Sequence, residues 1–212
     1  MEDRTIIVAS NNEGKINEIK AILPEYIVLS LKEAGIKSNP EETESTFEGN
    51  ALLKAKDAKR YTEHMVIADD SGLQVHSLNN IPGVFSKRFY FYTNSNSNKK
   101  STINVKGKVL DKKNTKSLID LMKNVKEKNR SASFVSVIAL IEKDGTKKIF
   151  SGICEGKITM ENKGNRGFGY DPVFIPNGYN ITFAEMSDDE KNKISHRANA
   201  LKQLKEYLND WF

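Results

Sequence analysis

Short stretches of the chain hold residue types that could do chemistry. Ser10-Asn11-Asn12-Glu13-Gly14-Lys15 follows an apolar run and leads into a helical pattern. At such a junction, unpaired backbone N–H groups and the positive end of the helix dipole favour a phosphate, and Lys15 adds a point charge. No G-x-x-x-x-G-K-[ST] pattern occurs, so this is not a Walker A loop. A plain turn built on Asn and Gly would use the same residues. Further on, Asp69-Asp70-Ser71-Gly72 stands at the carboxyl end of the strand-like run Met65-Val66-Ile67-Ala68. That is the edge where open α/β sheets bind ligands. Adjacent strand residues point to opposite faces, so one carboxylate enters a site while the other orients a neighbour. A hard cation such as Mg²⁺ is usually held by one or two carboxylates plus substrate phosphates. Glu41 and Glu42, on an acidic loop over residues 40 to 44, could supply the second carboxylate.

A C-terminal set consists of Phe168-Gly169-Tyr170-Asp171, then Lys191, then Ser195-His196-Arg197. Its rings offer a platform, and its basic groups offer donors for base carbonyls or phosphates. Lys191 and Ser195 are four residues apart and share a face if the helix is unbroken. Taken singly, Lys191 reads as a surface charge and His196 as a helix-surface residue. His64 and His76 have no clustered polar company, and residues 112 to 128 read as the solvated face of a helix.

Those stretches need elements to position them. Thr5-Ile6-Ile7-Val8-Ala9 reads as a buried strand. A helix follows with Ile16, Ile19, Ile22 and Leu23 on one face, closed by Pro24. Ile27-Val28-Leu29 is a second strand, and a helix over about residues 46 to 61 aligns Phe47, Ala51, Ala55 and Ala58. Residues 91 to 108 are rich in Asn, Ser and Lys and read as a mobile polar surface insertion, because they offer too little apolar area to offset their ordering entropy. Helix resumes near Thr115 with Leu118, Ile119, Met122 and Val125 as its apolar face. Residues 133 to 141 and 146 to 153 read as strands joined at Lys143-Asp144-Gly145. A glycine-rich loop over residues 164 to 171 precedes the strand Val173-Phe174-Ile175. Ser187-Asp188-Asp189-Glu190 opens the last helix as a capping box, with Ile194, Ala198, Leu201, Leu204 and Leu208 on one side. This order implies one α/β domain over residues 1 to 212 with a mixed sheet.

Composition narrows the function classes. The chain has 212 residues, 38% hydrophobic and 29% charged, which is globular rather than disordered. Its 33 Lys and Arg against 28 Asp and Glu leave a net +5, too small a surplus to announce nucleic-acid binding. Cys154 is the single cysteine, so no intrachain disulfide forms; it reads as a small buried hydrophobe in a reducing compartment. The N-terminus lacks a signal-peptide pattern, and no apolar run approaches the ~20 residues of a membrane span. A soluble cytoplasmic protein is expected.

In order and approximate spacing, these stretches resemble the inosine triphosphate pyrophosphatase family over nearly the whole chain, residues 6 to 208. The resemblance rests on Ala9-Ser10-Asn11-Asn12-Glu13-Gly14-Lys15, on Thr46-Phe47-Glu48-Gly49-Asn50-Ala51 with Lys54-Ala55, and on Ala68-Asp69-Asp70-Ser71-Gly72-Leu73. It continues through Pro82-Gly83 with Ser86 and Arg88, Gly167-Phe168-Gly169-Tyr170-Asp171-Pro172, and Lys191 with Ile194-Ser195-His196-Arg197. It implies that Ser10, Asn11, Asn12, Glu13, Gly14 and Lys15 bind a triphosphate. Asp70 would accept a proton and, with Glu41, hold Mg²⁺, while Ser71 touches substrate. Phe168, Gly169, Tyr170, Asp171, Lys191, His196 and Arg197 would form the nucleotide and base pocket. The implied fold is an elongated mixed α/β sheet flanked by helices, in two lobes with an active-site cleft between them, usually as a homodimer. The implied reaction is hydrolysis of deaminated purine triphosphates to monophosphate and pyrophosphate, with Lys15 and Asp70 as catalytic groups. Two rivals stand beside it: a phosphatase releasing single phosphates, whose aspartyl form would want Asp-x-Asp, and a nucleic-acid-binding module using the lysine-rich middle. Gly49 stands where the family often has Glu, and Lys87 where a small residue is usual.

Overall fold

Buried β-branched residues build β1 (Thr5–Val8), which pairs in parallel with β2 (Ile27–Ser30) and with β3 (Met65–Val75). Parallel neighbours need crossover connections. α1 (Glu13–Ile22) lies in the first connection and α2 (Phe47–Lys59) in the second. The computed structural model describes residues 4–94 and 106–209. Beyond β3 come β4 (Ile81–Pro82), α3 (Phe89–Asn94), α4 (Gly107–Leu121), β5 (Ser131–Ile141), β6 (Lys147–Ile158), β7 (Phe174–Pro176), α5 (Asp188–Ile194) and α6 (His196–Asn209). Among the described residues the strands form a seven-stranded sheet in the order β2-β1-β3-β5-β6-β7, with β4 antiparallel on β3 and β7 antiparallel on β6. This is the expected mixed α/β architecture.

The chain divides into two compact units. Unit 1 comprises Met1–Ser71, Val135–Ile153 and Asn192–Phe212. Its core joins Ile6 and Val8 of β1, Ile16 and Ile19 of α1, Ile67 of β3, Ile138 and Leu140 of β5, and Leu201, Leu204 and Leu208 of α6. Period-2 alternation puts Ile6 and Val8 on the same face, and the helical spacing of Leu201, Leu204 and Leu208 forms one stripe. Asn12 caps α1 by accepting the Lys15 N–H (3.3 Å), and Thr46 Oγ1 caps α2 by accepting the Gly49 N–H (3.0 Å). The capping box is formed as expected: Ser187 Oγ accepts the Glu190 N–H and Glu190 Oε2 accepts the Ser187 N–H.

Unit 2 comprises Gly72–Phe134 and Cys154–Lys191. Its centre holds Phe134 edge-on to Phe174 with ring centroids 4.7 Å apart, and Phe174 against Phe183 at 5.3 Å. The Arg130 guanidinium is buried nearby. It donates to the carbonyls of Met122 (2.8 Å), Ile158 (2.9 Å) and Thr159 (2.6 Å), tying the end of α4 to β6.

Four sequence expectations shift. The Asp69-Asp70-Ser71-Gly72 stretch does not end its strand, because β3 continues to Val75. What ends there is the parallel partner: Val8 pairs with Ile67, so the carboxylates lie just past the carboxyl end of β1. The C-terminal helix is broken at Ser195, whose Oγ accepts the Ala198 N–H (3.1 Å) and caps α6, so Lys191 and Ser195 do not share one continuous helix. The helix expected near Thr115 begins at Gly107. Of the polar stretch 91 to 108, residues 91–94 end α3 and 107–108 open α4, while 95–105 lie outside the described residues.

Within unit 1, α6 crosses β6 at Gly152, where a Cβ would stand 2.2 Å from the His196 carbonyl oxygen and 2.4 Å from the Ala200 nitrogen. Both obstacles are backbone and cannot swing aside. Gly152→Ala is therefore expected to lower stability by about 2–3 kcal/mol, the upper part of the range for overpacking, read as a fall in the urea midpoint.

Candidate functional site

Asp69 has no exposed side-chain surface, and several donors surround it. Lys15 Nζ lies 2.5 Å and Arg197 Nη2 3.2 Å from its Oδ2, Ser71 Oγ donates to the same oxygen (3.0 Å), and Ser136 Oγ donates to Oδ1 (2.5 Å). Burial alone would push this carboxyl up. The Arg197 guanidinium, the Lys15 ammonium and the hydroxyl donors outweigh burial and hold it well below the usual carboxylate range. Arg197 is itself buried. Its Nη1 pairs with Glu18 of α1 and its Nη2 also donates to Ser71 Oγ (2.9 Å).

Asp70, on the opposite face of β3, has a different environment. Its Oδ1 accepts from Lys54 Nζ at 2.8 Å, and the same ammonium reaches Glu42 Oε1 at 3.1 Å. Burial pushes the Asp70 carboxyl up; Lys54 and Lys15 oppose this without cancelling it, and Glu42 adds to the rise. Lys15 and Lys54 both reach the Asp69 carbonyl oxygen, at 3.5 and 3.0 Å. Burial and the neighbouring Lys54 and Arg197 lower the Lys15 ammonium against the pull of Asp69, whereas Asp70 and Glu42 overcome burial and raise Lys54. Two ammonium groups thus meet two carboxylates beside the strand, next to the start of α1.

The expected second carboxylate is placed differently from its neighbour. Glu41 is exposed, and it is Glu42 that reaches Lys54. Among the described residues, no group of three His, Cys, Asp or Glu side chains is arranged to hold a metal ion. Of the phosphate-loop residues, Asn12 is spent on capping, Ser10 Oγ accepts the Asn12 N–H (3.1 Å), and Asn11 and Glu13 are exposed. Lys54, Glu42, Ser136 and Glu18 are partners that spacing did not single out as a set. For Lys54 a signal existed in the helical pattern, because a lysine inside the Ala51, Ala55, Ala58 stripe is out of place unless paired.

In unit 2, Lys191 is buried against Asp171 (2.7 Å), with its ammonium 4.7 Å from the Phe168 ring centroid. This is the opposite of a surface charge. Asp171 Oδ2 also accepts the Phe168 N–H (2.9 Å). Gly167 has φ +67, and a Cβ there would lie 2.0 Å from that oxygen, so only glycine fits. Tyr170 is buried and donates its hydroxyl to the Ser86 carbonyl (2.9 Å), which leaves half-buried Phe168 as the more accessible ring. Burial, with Asp111 nearby, pushes the Tyr170 phenol well above its usual range. His196 is buried at the start of α6 in unit 1.

A mixed α/β fold with paired carboxylates and lysines just past a parallel strand, beside a helix N-terminus, defines a protein built to handle a compact polyanion. The Ham1 family profile matches residues 6–207, and the chain belongs to the Ham1 family. It is 46% identical to a protein of Clostridium tetani and 43% identical to one of Staphylococcus epidermidis, both named dITP/XTP pyrophosphatase. Those matches cover 98% of this chain and 98% and 97% of the relatives. The solved structure of the Ham1 protein of Staphylococcus aureus superposes with a TM-score of 0.80 at 38% identity, over 98% of this chain and all of the other.

Asp69 gives a test of the buried cluster. Because its folded carboxyl titrates below the usual 3.8, its stabilisation is present above that value and is lost as pH falls through the folded pKa. Asp69→Asn leaves Arg197 and Lys15 buried without their shared anion, and is expected to cost about 3–5 kcal/mol at neutral pH. Denaturant unfolding at pH 7 and at pH 3 should show the deficit shrinking in acid. An equal deficit at both would show that the charge of Asp69 contributes nothing.

Proposed function

We propose that this protein hydrolyses deaminated purine nucleoside triphosphates, dITP, ITP and XTP, to the monophosphate and pyrophosphate. The observation that carries the reading is the different enclosure of neighbouring carboxylates: Asp69 is surrounded by Arg197, Lys15, Ser71 and Ser136 as a fixed anion, while Asp70, on the other face of β3, meets Lys54 beside Glu42 and takes the role of general base. Asp70 takes a proton from a water molecule as the oxygen of that water bonds to the α-phosphorus. The bond from that phosphorus to the bridging oxygen breaks, and pyrophosphate leaves with the electron pair. Lys15 and Lys54 offset charge gathering on the phosphate oxygens. Asp70 Oδ1 and Glu42 Oε1 both reach Lys54 Nζ and so lie close together, and this hard-oxygen pair suits Mg²⁺. Bound there, Mg²⁺ would neutralise phosphate charge. On this reading Glu42 replaces Glu41 as the second ligand.

The rest of the proposal assigns the triphosphate to Ser10, Asn11, Asn12, Glu13, Gly14 and Lys15, with Ser71 beside it. The nucleoside is assigned to Phe168, Gly169, Tyr170, Asp171, Lys191 and His196, and Arg197 acts through Asp69 and Ser71. We propose a cytoplasmic homodimer. The buried Cys154 thiol, pushed up to about 11 by burial and Glu155, suits a reducing compartment. Exposed Phe91, Tyr92, Val109 and Leu121 suit a contact between copies. No helix among the described residues is long and apolar enough to cross a membrane.

Incubation with ITP and Mg²⁺ should yield IMP and pyrophosphate in equal amounts. Accumulation of IDP with free phosphate would remove the reading. Asp70→Asn should lower turnover at least ~10²-fold. Glu42→Gln should raise the Mg²⁺ concentration needed for half-maximal rate, and Glu41→Gln should leave it unchanged; the reverse order would return the ligand role to Glu41. For base selection, kcat/KM for ITP and XTP should exceed that for ATP by up to ~10⁴-fold, the penalty for leaving donors aimed at the C6 carbonyl unpaired. Equal values for ITP and ATP would mean that the pocket does not read the base.

A further inference from the structure

The loop over residues 167 to 171 does not hold its shape by itself. Gly167 and Gly169 have φ of +67 and +61, so the backbone sits twice in the left-handed region within a few residues. Two successive peptide N–H groups are then fixed by carboxylates from different places. Asp171, within the loop, accepts from Phe168. The Gly169 N–H donates to Asp111 Oδ2 at 3.1 Å, across 58 residues of chain. Asp111 lies in α4, which is anchored independently. Buried Asn114 accepts the Tyr90 N–H (2.8 Å) and donates to the Lys87 carbonyl (3.1 Å), and Leu118 is fully buried. The Tyr170 hydroxyl on Ser86 adds a tie from the same region. All of these residues belong to unit 2.

A half-buried carboxylate costs stability unless a donor compensates it. Burial pushes the Asp111 carboxyl up, and the Gly169 N–H is the contact that opposes it. This residue is absent from the stretches that chemistry and resemblance pick out, yet it holds the peptide directly after Phe168.

We infer that Asp111 is a positioning residue: by holding the Gly169 N–H it sets the Phe168 ring and thereby the selection of the purine base. The inference rests on the assignment of the 168–171 loop to the nucleoside. Removing the acceptor frees the Gly169 peptide, so the ring samples other positions and the preference for the deaminated base falls, while the carboxylates and lysines of unit 1 keep their own partners.

The test compares wild type, Asp111→Ala, Asp111→Asn and Asp111→Glu. KM and kcat are measured for ITP and ATP, and Kd for IMP and AMP by calorimetry, with a thermal midpoint for each variant. Asp111→Ala should raise KM for ITP and Kd for IMP about tenfold, the factor carried by a hydrogen bond to a charged group. Its kcat should change far less, and its preference for IMP over AMP should shrink. Asp111→Asn keeps an acceptor oxygen and should restore most of both. Asp111→Glu keeps the charge but displaces the acceptor; should the alanine variant fold poorly, an intermediate rise in KM from this variant carries the test. Unchanged KM, an equal rise in KM for ITP and ATP, or an asparagine variant no better than alanine would overturn the inference. A wild type that prefers IMP over AMP but leaves ITP intact would remove the hydrolytic reading, and the Asp111 test would then be decided by the binding constants. Wild-type indifference between IMP and AMP would overturn the inference itself.

Discussion

Asp69 is the constraint around which unit 1 is organised. A carboxylate without exposed surface must be compensated or it does not stay ionised, and its compensators come from separated parts of the chain. Lys15 comes from the first turns of α1, Ser136 from β5, and Arg197 from the start of α6. Arg197 then reaches Glu18, so the cluster also closes α1 onto α6. Hydrophobic burial brings these elements together without choosing among nearby registers. The charge cluster is satisfied in one arrangement only, because a shift of any member strands a buried ion.

That constraint also decides what Lys15 is free to do. An ammonium at the opening of α1 is the natural partner of a phosphate, but in this structure Asp69 holds it. The lysine is therefore held in place and does not sweep through solvent, which lowers the entropy that ligand capture would cost. Lys54 stands in the same relation to Asp70 and Glu42. Both ammonium groups also reach the Asp69 carbonyl, so the backbone of β3 itself fixes the distance between two cations.

Much of this was legible in the sequence, and the failures share a cause. Strands with β-branched runs and helices with periodic apolar faces are local signals, and β1, α1, β2, α2 and β5 fall close to where they are expected, while β6 begins as expected and runs on from residue 153 to Ile158. The Asp69-Asp70 pair and the rule of opposite faces were also legible, because a strand's pleat is a property of the backbone. Partner choice was not. Nothing local separates Glu41 from Glu42, since both are acidic residues on one loop and only the path from Pro40 to Thr46 decides which reaches Lys54. Lys191 reads as a surface charge because lysine usually is one; Asp171, twenty residues earlier, makes it a buried ion. The break at Ser195 hides in a continuous helical pattern, because serine is tolerated inside a helix yet caps a new one when its hydroxyl reaches the Ala198 N–H. Asp111 was missed since its partner is a backbone amide, which carries no residue type to search for.

The two carboxylates of β3 show how one dipeptide can supply both a fixed charge and a proton acceptor. They are covalent neighbours with nearly identical intrinsic acidity, and both are buried. The pleat sends one toward Arg197, Lys15 and two hydroxyls, and the other toward a single lysine that it shares with Glu42. Counting partners decides the outcome. Four donors overcome the burial of Asp69, whereas one directly bonded ammonium shared with Glu42, helped by the charge of Lys15, does not overcome the burial of Asp70. Environments that drive like groups apart in this way are the means by which a site separates an electrostatic anchor from an acid or base. Exchanging the two residues' roles would require exchanging the faces of the strand, which no local substitution can do.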